Sequence, residues 1–414
     1  MTTRRIAAAL TASLLATTLI TFPGSPAAAA EIPCPHPKIA KPSAPPRPVP
    51  PADDPTAMKV GGDDLATHGL IIPAGAKQPP AVTATTWIVA DLDTGAVLGS
   101  CGPHVYQTPA SVQKTLLAAT AIDKLDPAQK VKIVQSDLDI EVNSSAVGIV
   151  VGGTYPVATL WLGLLLNSGN DAANALARMA GGGGADGVAK TVAAMNAKAA
   201  SLGAYQTHAV TPSGLDGKGQ FTSAYDLALI ARVDFANADF RKYVLTRSAQ
   251  MPAQPARKVG GFQFQNENKL IYNYPGAMGG KTGFTTVARH SYVGAAQRNG
   301  RRLVVTLLGA EAQPIRGWQQ GAALLDWGFA QPAGSSVGHL VTPDEVAASA
   351  QASSATPEKT TTGSGAGVAA EPASKSGGLS VPAAATAAVV LAGIPLLLVL
   401  TQRRRRRIAR EQSS

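Results

Sequence analysis

The sequence predicts an α+β fold in which N-terminal and C-terminal segments share one antiparallel sheet, with a helical lobe between them. Three observations carry this reading. Thr86 to Ala90 and Ala96 to Ser100, separated by the turn residues of Asp91 to Gly95, have the pattern of a β-hairpin. Ser291 to Gln297 and Arg302 to Leu308 flank Asn299-Gly300, a dipeptide suited to the left-handed backbone of a tight hairpin turn. Between the two hairpins the apolar residues recur at helical spacing, so strands lie at both ends and helices in the middle.

The elements follow in order. After the first hairpin, Thr108 offers a helix cap, Pro109 suits a first helical residue, and Leu116, Leu117, Ala118 and Ile122 give an apolar face. Leu160 to Leu166 is a second apolar helix, broken at Asn167-Ser168-Gly169-Asn170, and Asp171 to Met179 resumes in helical style. Residues 190–202 and 223–232 read as helices, with Thr211-Pro212-Ser213-Gly214-Leu215 between them. A strand is expected to begin at Lys281, and Gln313 to Phe329 to form a closing helix with Trp318, Leu324, Leu325 and Trp327 on its core side.

The ends differ from this middle. Arg4 and Arg5, the apolar run from Ile6 to Ile20 and Ala28-Ala29-Ala30 have the form of a signal peptide over residues 1–30. Residues 31–79 form a Pro-rich arm, residues 333–379 a low-complexity stalk poor in large apolar side chains, and 80–332 remain as the folded domain. Val381 to Leu400 carries no charge, and at 1.5 Å per residue its 20 residues give about the 30 Å of a bilayer core, so a transmembrane helix is expected over 380–401. Arg403 to Arg407 follow, within a basic tail of residues 402–414 that the positive-inside rule places in the cytoplasm. The domain is then exported and held at the cell membrane by a single span.

This topology changes the meaning of the charge. The formal +10 includes +2 from Arg4 and Arg5 and +5 from residues 403–411, leaving +3 for everything else, which gives no basis for nucleic-acid binding. Cys34 and Cys101 are the only cysteines, and an even count in an exported protein makes a disulfide between them the expectation, with a pair of free thiols the alternative. No Cys-x-x-Cys or His-Glu-x-x-His occurs, so neither a metal nor a cofactor is expected.

Three motifs then occur in order: Ser111-x-x-Lys114, Ser168-x-Asn170 and Lys281-Thr282-Gly283. Each alone is weak, for a Ser-x-x-Lys arises about once by chance in a chain of this length. Together they supply the parts of a serine acyl-transfer site. A hydroxyl needs a base, and Lys114 sits one turn from Ser111. Lys281 would lower the Lys114 pKa by repulsion, helped by partial burial. Ser168 could relay the proton and Asn170 hold both Lys114 and the substrate backbone. The backbone N–H groups at Ser111 and Phe284 are the expected oxyanion donors. Lys281 and Thr282 would bind a substrate anion, and Gly283 would let the substrate lie close to its strand.

Two look-alikes fall away. Gly280-Lys281-Thr282 resembles the end of a phosphate loop, but Pro275 stands where the required glycine belongs. Gly182-x-Gly184-x-x-Gly187 follows a helix rather than a strand.

Segments around the motifs, Thr108 to Thr115, Leu166 to Ala173, Thr211 to Leu215 and Gly280 to Thr285, resemble those of the low-molecular-mass penicillin-binding proteins, the serine-type D-alanyl-D-alanine carboxypeptidases. The resemblance covers about residues 80–330 and implies a β-lactamase/transpeptidase-like fold. It also implies acylation of Ser111 by the penultimate D-Ala of a peptidoglycan stem peptide, binding of the terminal carboxylate by Lys281, and inhibition by β-lactams. Two departures stand out. A stalk and a span replace the β-rich second domain of many relatives, and Ser213 stands where many have histidine. A β-lactamase of the same fold is the rival reading, weakened because no Glu lies between Asn170 and Val210. A non-catalytic wall-sensing ectodomain is the other.

Overall fold

The computed structural model describes residues 31–40, 43 and 45–354, all within one compact unit. The expected signal peptide, membrane span and basic tail lie outside these residues, as does the stalk beyond residue 354. Among the described residues no helix is long and apolar enough to cross a membrane.

The chain opens with β1 (Leu70–Ile71), β2 (Thr86–Asp91) and β3 (Ala96–Cys101), followed by α1 (Lys114–Ala121). A small hairpin of β4 (Lys130–Lys132) and β5 (Thr154–Pro156) leads into the helical lobe of α2 (Val157–Leu166), α3 (Asn170–Ala180), α4 (Gly187–Ser201), α5 (Ala224–Ala236) and α6 (Ala238–Leu245). A second hairpin, β6 (Ser248–Met251) and β7 (Phe262–Gln265), and the short α7 (Leu270–Asn273) precede the long strands β8 (Ala277–Thr285), β9 (Arg289–Arg298) and β10 (Arg301–Ala310). Then come α8 (Gly317–Phe329), β11 (Gly338–His339) and α9 (Pro343–Ser354).

The main sheet runs β1-β3-β2-β10-β9-β8, with β11 also on β3, and its paired strands are antiparallel. The first and last thirds of the fold therefore meet where β2 pairs β10, Val305 opposite Val89. Both strands are buried on both faces, and the two-residue side-chain period divides them cleanly. Ile88, Ala90, Val304 and Leu308 enter the core shared with the helical lobe. Trp87, Val89, Leu303, Val305 and Leu307 enter a second core under α8, where the Trp87 and Trp327 rings meet edge to face at 6.1 Å.

The folded body passes both boundaries that composition suggested. Within the Pro-rich arm, Leu65 is fully buried, β1 pairs β3, and Cys34 is bonded to Cys101 with their Cα atoms 5.8 Å apart. Within the supposed stalk, β11 extends the β3 edge, Leu340 is buried, and α9 packs against α4. Composition missed these segments because a few apolar residues such as Leu65, Leu70 and Leu340 suffice to anchor them, and main-chain bonds such as His339 N–H to Gly61 O (2.8 Å) do the rest. The closing helix starts at Gly317 rather than Gln313, capped where Gln319 Oε1 accepts the Arg316 N–H.

Candidate active site

Residues 110–113 form a 3₁₀ turn rather than the first turn of an α-helix, which begins only at Lys114. Thr108 gives no side-chain cap, and Ala110 is held at φ 50°, a left-handed conformation uncommon for a residue with a side chain. Packing fixes this bend. Gly214, at φ 85°, lies so close to the Ala110 carbonyl that any side chain on it would overlap. A 3₁₀ turn eclipses residues three apart, so Ser111 and Lys114 align, and Nζ lies 2.8 Å from Oγ.

Lys114 is completely buried. Besides Ser111 Oγ, its Nζ meets Asn170 Oδ1 at 2.8 Å and the Ser213 main-chain oxygen at 2.7 Å. Burial is the largest cause holding its pKa well below the ordinary lysine value, Lys281 is second, and Asp171 and Glu267 oppose both. The sequence reading had ranked repulsion above burial. The order reverses because every atom of the lysine is out of water.

The middle motif sits between α2 and α3, with Ser168 at φ 63° and buried, and Asn170 as the first residue of α3. Asn170 is brought to Lys114; Ser168 is not among the partners of Nζ. Asp171, whose importance the sequence reading did not see, explains the position of the turn. Its carboxylate accepts from the backbone N–H groups of Val147, Gly148, Ile149 and Ala172, while the Asn170 N–H donates to Ser145 O at 2.9 Å. The loop over residues 145–149 is thereby tied to the start of α3.

Lys281 lies inside β8 rather than at its start. The strand opens four residues earlier, at Ala277, with a bulge between Ala277 and Gly279, and Gly279 and Gly280 take φ values of 96° and 140°. Lys281 is buried, its Nζ donates to Thr282 O at 2.6 Å, and burial lowers its pKa to about 8 against the pull of Glu267. Thr282 is partly exposed beside it. Gly283 faces the Ser111 turn, since a Cβ there would sit 2.9 Å from Ser111 N and 3.0 Å from Val112 N. The approach that needs glycine is thus first that of the strand to the Ser111 turn. Phe284 is half exposed at the rim, its ring 4.6 Å from that of His290. Because β8 is a sheet edge, its outer side is open to an extended chain.

Ser213 was noted only for its departure from a resemblance, and its role is played by the main chain, which no side-chain motif displays. Glu267 carries no motif at all; it reaches the two lysines by its field. Among the described residues no group of acids, histidines and cysteines could hold a metal.

Comparison with known proteins agrees with this geometry. A D-alanyl-D-alanine carboxypeptidase from Mycobacterium tuberculosis, DacB2, is 46% identical over 273 residues, 65% of this chain and 90% of the relative. The DacD carboxypeptidase of Salmonella typhimurium is 33% identical over 263 residues, but the match spans 64% of that longer protein. A crystal structure of a D-alanyl-D-alanine carboxypeptidase from M. tuberculosis H37Rv superposes with a TM-score of 0.61 at 46% identity, over 65% of this chain and all of the other. The D-alanyl-D-alanine carboxypeptidase family matches residues 74–312, and the chain belongs to that family of serine peptidases.

Proposed function

We propose that the protein removes the terminal D-Ala from peptidoglycan stem peptides through an ester on Ser111. The observation that carries this reading is the set of partners around Lys114. Asn170 Oδ1 and Ser213 O can only accept, so a neutral amine gives both its protons to them and turns its lone pair toward Ser111 Oγ, the one partner with a proton to give. As Oγ attacks the penultimate carbonyl, its proton passes to Lys114 Nζ. The charge that develops on oxygen is met by the N–H groups of Ser111 and Phe284. Collapse breaks the amide, and the departing D-Ala nitrogen takes the proton, relayed through Ser168. Water then cleaves the ester, giving its proton back along the same route. Thr282 is the contact for the terminal carboxylate, with the buried Lys281 charge behind it.

A penicillin enters the same chemistry and stays. Class A lactamases clear the adduct with a Glu soon after the middle motif; here the acid nearest that motif, Asp171, has both oxygens taken by backbone N–H groups. The reading includes export and a single C-terminal span, supported by the uncharged 20-residue run and the arginines after it. The test incubates the full chain with a peptide ending in D-Ala-D-Ala, and separately with penicillin, following D-Ala release and protein mass. Release of D-Ala and a lasting adduct, both lost in Ser111→Ala, are expected. An adduct without release would overturn the carboxypeptidase reading, and rapid loss of the adduct would favour a lactamase. Membrane fractions washed with alkaline carbonate test the span, since a protein without one is extracted.

A further inference from the structure

A cleft of about 840 Å³ opens between residues 54–62 and residues 339–350, with Tyr106 and Tyr205 completing its lining. Both walls lie outside the stretch that matches the family model, residues 74–312. It is also built, not a gap between loose ends. His339 N–H donates to Gly61 O at 2.8 Å; the Tyr225 hydroxyl donates to His339 O at 2.8 Å and accepts from Val341 N–H at 3.1 Å. His104 reaches Val60 O at 3.1 Å and stacks obliquely on Tyr225 at 4.5 Å. Gly61, at φ 87°, leaves no room for a side chain against His339 O and the Tyr225 ring.

The lining selects a ligand class. Its size is that of a small-molecule site. Glu345 lies 3.2 Å from His339 and accepts from Thr342 N–H, Asp54 accepts from Thr56 N–H, and Lys59 is 3.2 Å from Asp63, so no strong field favours an anion or a cation. Short aliphatic side chains, among them Ala57, Val60, Val341 and Val346, make up much of the rest of the lining. What the cleft offers is two tyrosines, Tyr205 being 48% exposed and Tyr106 braced edge-on against Phe221 at 5.9 Å, together with carboxylate acceptors. A flat apolar face beside hydroxyl and carboxylate groups matches a sugar ring, which has a C–H face and a rim of hydroxyls.

We infer that this cleft binds the glycan chain of the polymer whose stem peptides the active site trims. That identity rests on the function proposed above; the polyol chemistry of the cleft does not. The reach is consistent with it. Tyr106 and Ser111 are five residues apart, so their Cα atoms are at most about 18 Å from each other, a span that a short extended peptide joined to the glycan can cross. A glycan seated in the cleft holds its own peptide within range of Ser111, raising the local concentration of substrate.

The test titrates the full chain with a tetramer of β-1,4-linked N-acetylglucosamine by calorimetry. Saturable binding is expected, weakened about tenfold in Tyr205→Ala and restored in Tyr205→Trp. Release of D-Ala from a free peptide should be the same in Tyr205→Ala as in the natural protein, which also certifies that the variant is folded, while release from glycan-linked stems falls severalfold. No saturable binding, or equal binding by Tyr205→Ala, overturns the inference. Weaker use of the free peptide in Tyr205→Ala would make the cleft a peptide site and overturn the glycan assignment. If the natural protein releases no D-Ala from any peptide, the carboxypeptidase reading fails, and the titration still decides whether the cleft takes a sugar.

Discussion

Gly283→Ala is the sharpest perturbation of the proposed site, because its effect can be worked from contact distances. The added methyl would lie 2.9 Å from Ser111 N, 3.0 Å from Val112 N and 3.2 Å from Ala110 Cβ. Ordinary contact begins near 3.5 Å, so strand and turn must part by about 0.6 Å. Overpacking of this kind costs about 1–3 kcal/mol. A 1 Å misplacement of reacting groups costs on the order of 100-fold in rate, so the movement alone accounts for about tenfold. The methyl also crowds the Ser111 N–H, and loss of one oxyanion donor is worth about 100-fold or more in kcat. A fall of about 100-fold if the donor is only weakened, and about 1,000-fold if it is lost, is therefore expected in kcat/KM for D-Ala release, with a matching fall in the rate of penicillin adduct formation, measured by mass. Phe284→Ala, one residue on and half exposed, is the control. Should Gly283→Ala stay within threefold of the natural protein, with an unchanged melting temperature, the close approach of β8 to the Ser111 turn is not what the site depends on.

Other expectations follow from the same structure. Because Lys114 is held by the main-chain oxygen of Ser213, Ser213→Ala should keep kcat/KM within about threefold, whereas Gly214→Ala, against the Ala110 carbonyl, should lower it at least tenfold; equal effects in a steady-state assay would refute the distinction. Lys281 is cationic below its pKa of about 8 and loses its charge above it, so kcat/KM should fall as pH rises through 8; Glu267→Gln, by removing the acid that props up both lysines, should move both limbs of the pH profile to lower pH. Asp226 is buried, its carboxyl pushed up to about 7, so the folded protein keeps a proton that the unfolded chain releases near pH 4. Stability therefore drops as pH rises from about 4 to 7, and Asp226→Asn should flatten that part of a melting-temperature curve. Opening the Cys34–Cys101 bond, which spans 67 residues, should destabilise by about 4 kcal/mol on loop entropy, read by urea titration of Cys34→Ser/Cys101→Ser.

The fold was legible because its sheet is written in local pattern: an apolar run at Thr86 to Ala90 followed by turn residues, Asn-Gly at 299–300, and apolar helices between. What escaped pattern were contacts made by main chain. β11 is two residues long and carries no strand signature, yet its pairing with β3 and the burial of Leu340 draw the supposed stalk into the body. A strand expected to begin at Lys281 in fact opens at Ala277, with a bulge between Ala277 and Gly279 inside it. Within the site, Ser111, Lys114, Asn170 and Lys281 are recognisable from side-chain identity. Ser213 and Glu267 are not, since one contributes a carbonyl that every residue possesses and the other a charge without contact.

The placement of Asp171 bears directly on the role of base proposed for Lys114. A buried ammonium ordinarily survives by pairing with a carboxylate, and the carboxylate next to Asn170 in sequence is the obvious candidate. The fold denies that pairing. Asp171 Oδ1 is engaged by Val147 and Ala172 N–H and Oδ2 by Gly148 and Ile149 N–H, so its charge is satisfied by the loop it anchors. The three partners of Lys114 Nζ are all uncharged: a hydroxyl, an amide oxygen and a main-chain carbonyl. At that distance Asp171 only tempers the loss of the proton, while burial and Lys281 drive it. One aspartate thus ties down the loop beside the Ser168 turn and, by being occupied there, leaves burial and Lys281 to hold the Lys114 pKa well below its ordinary value, the direction the proposed serine activation requires.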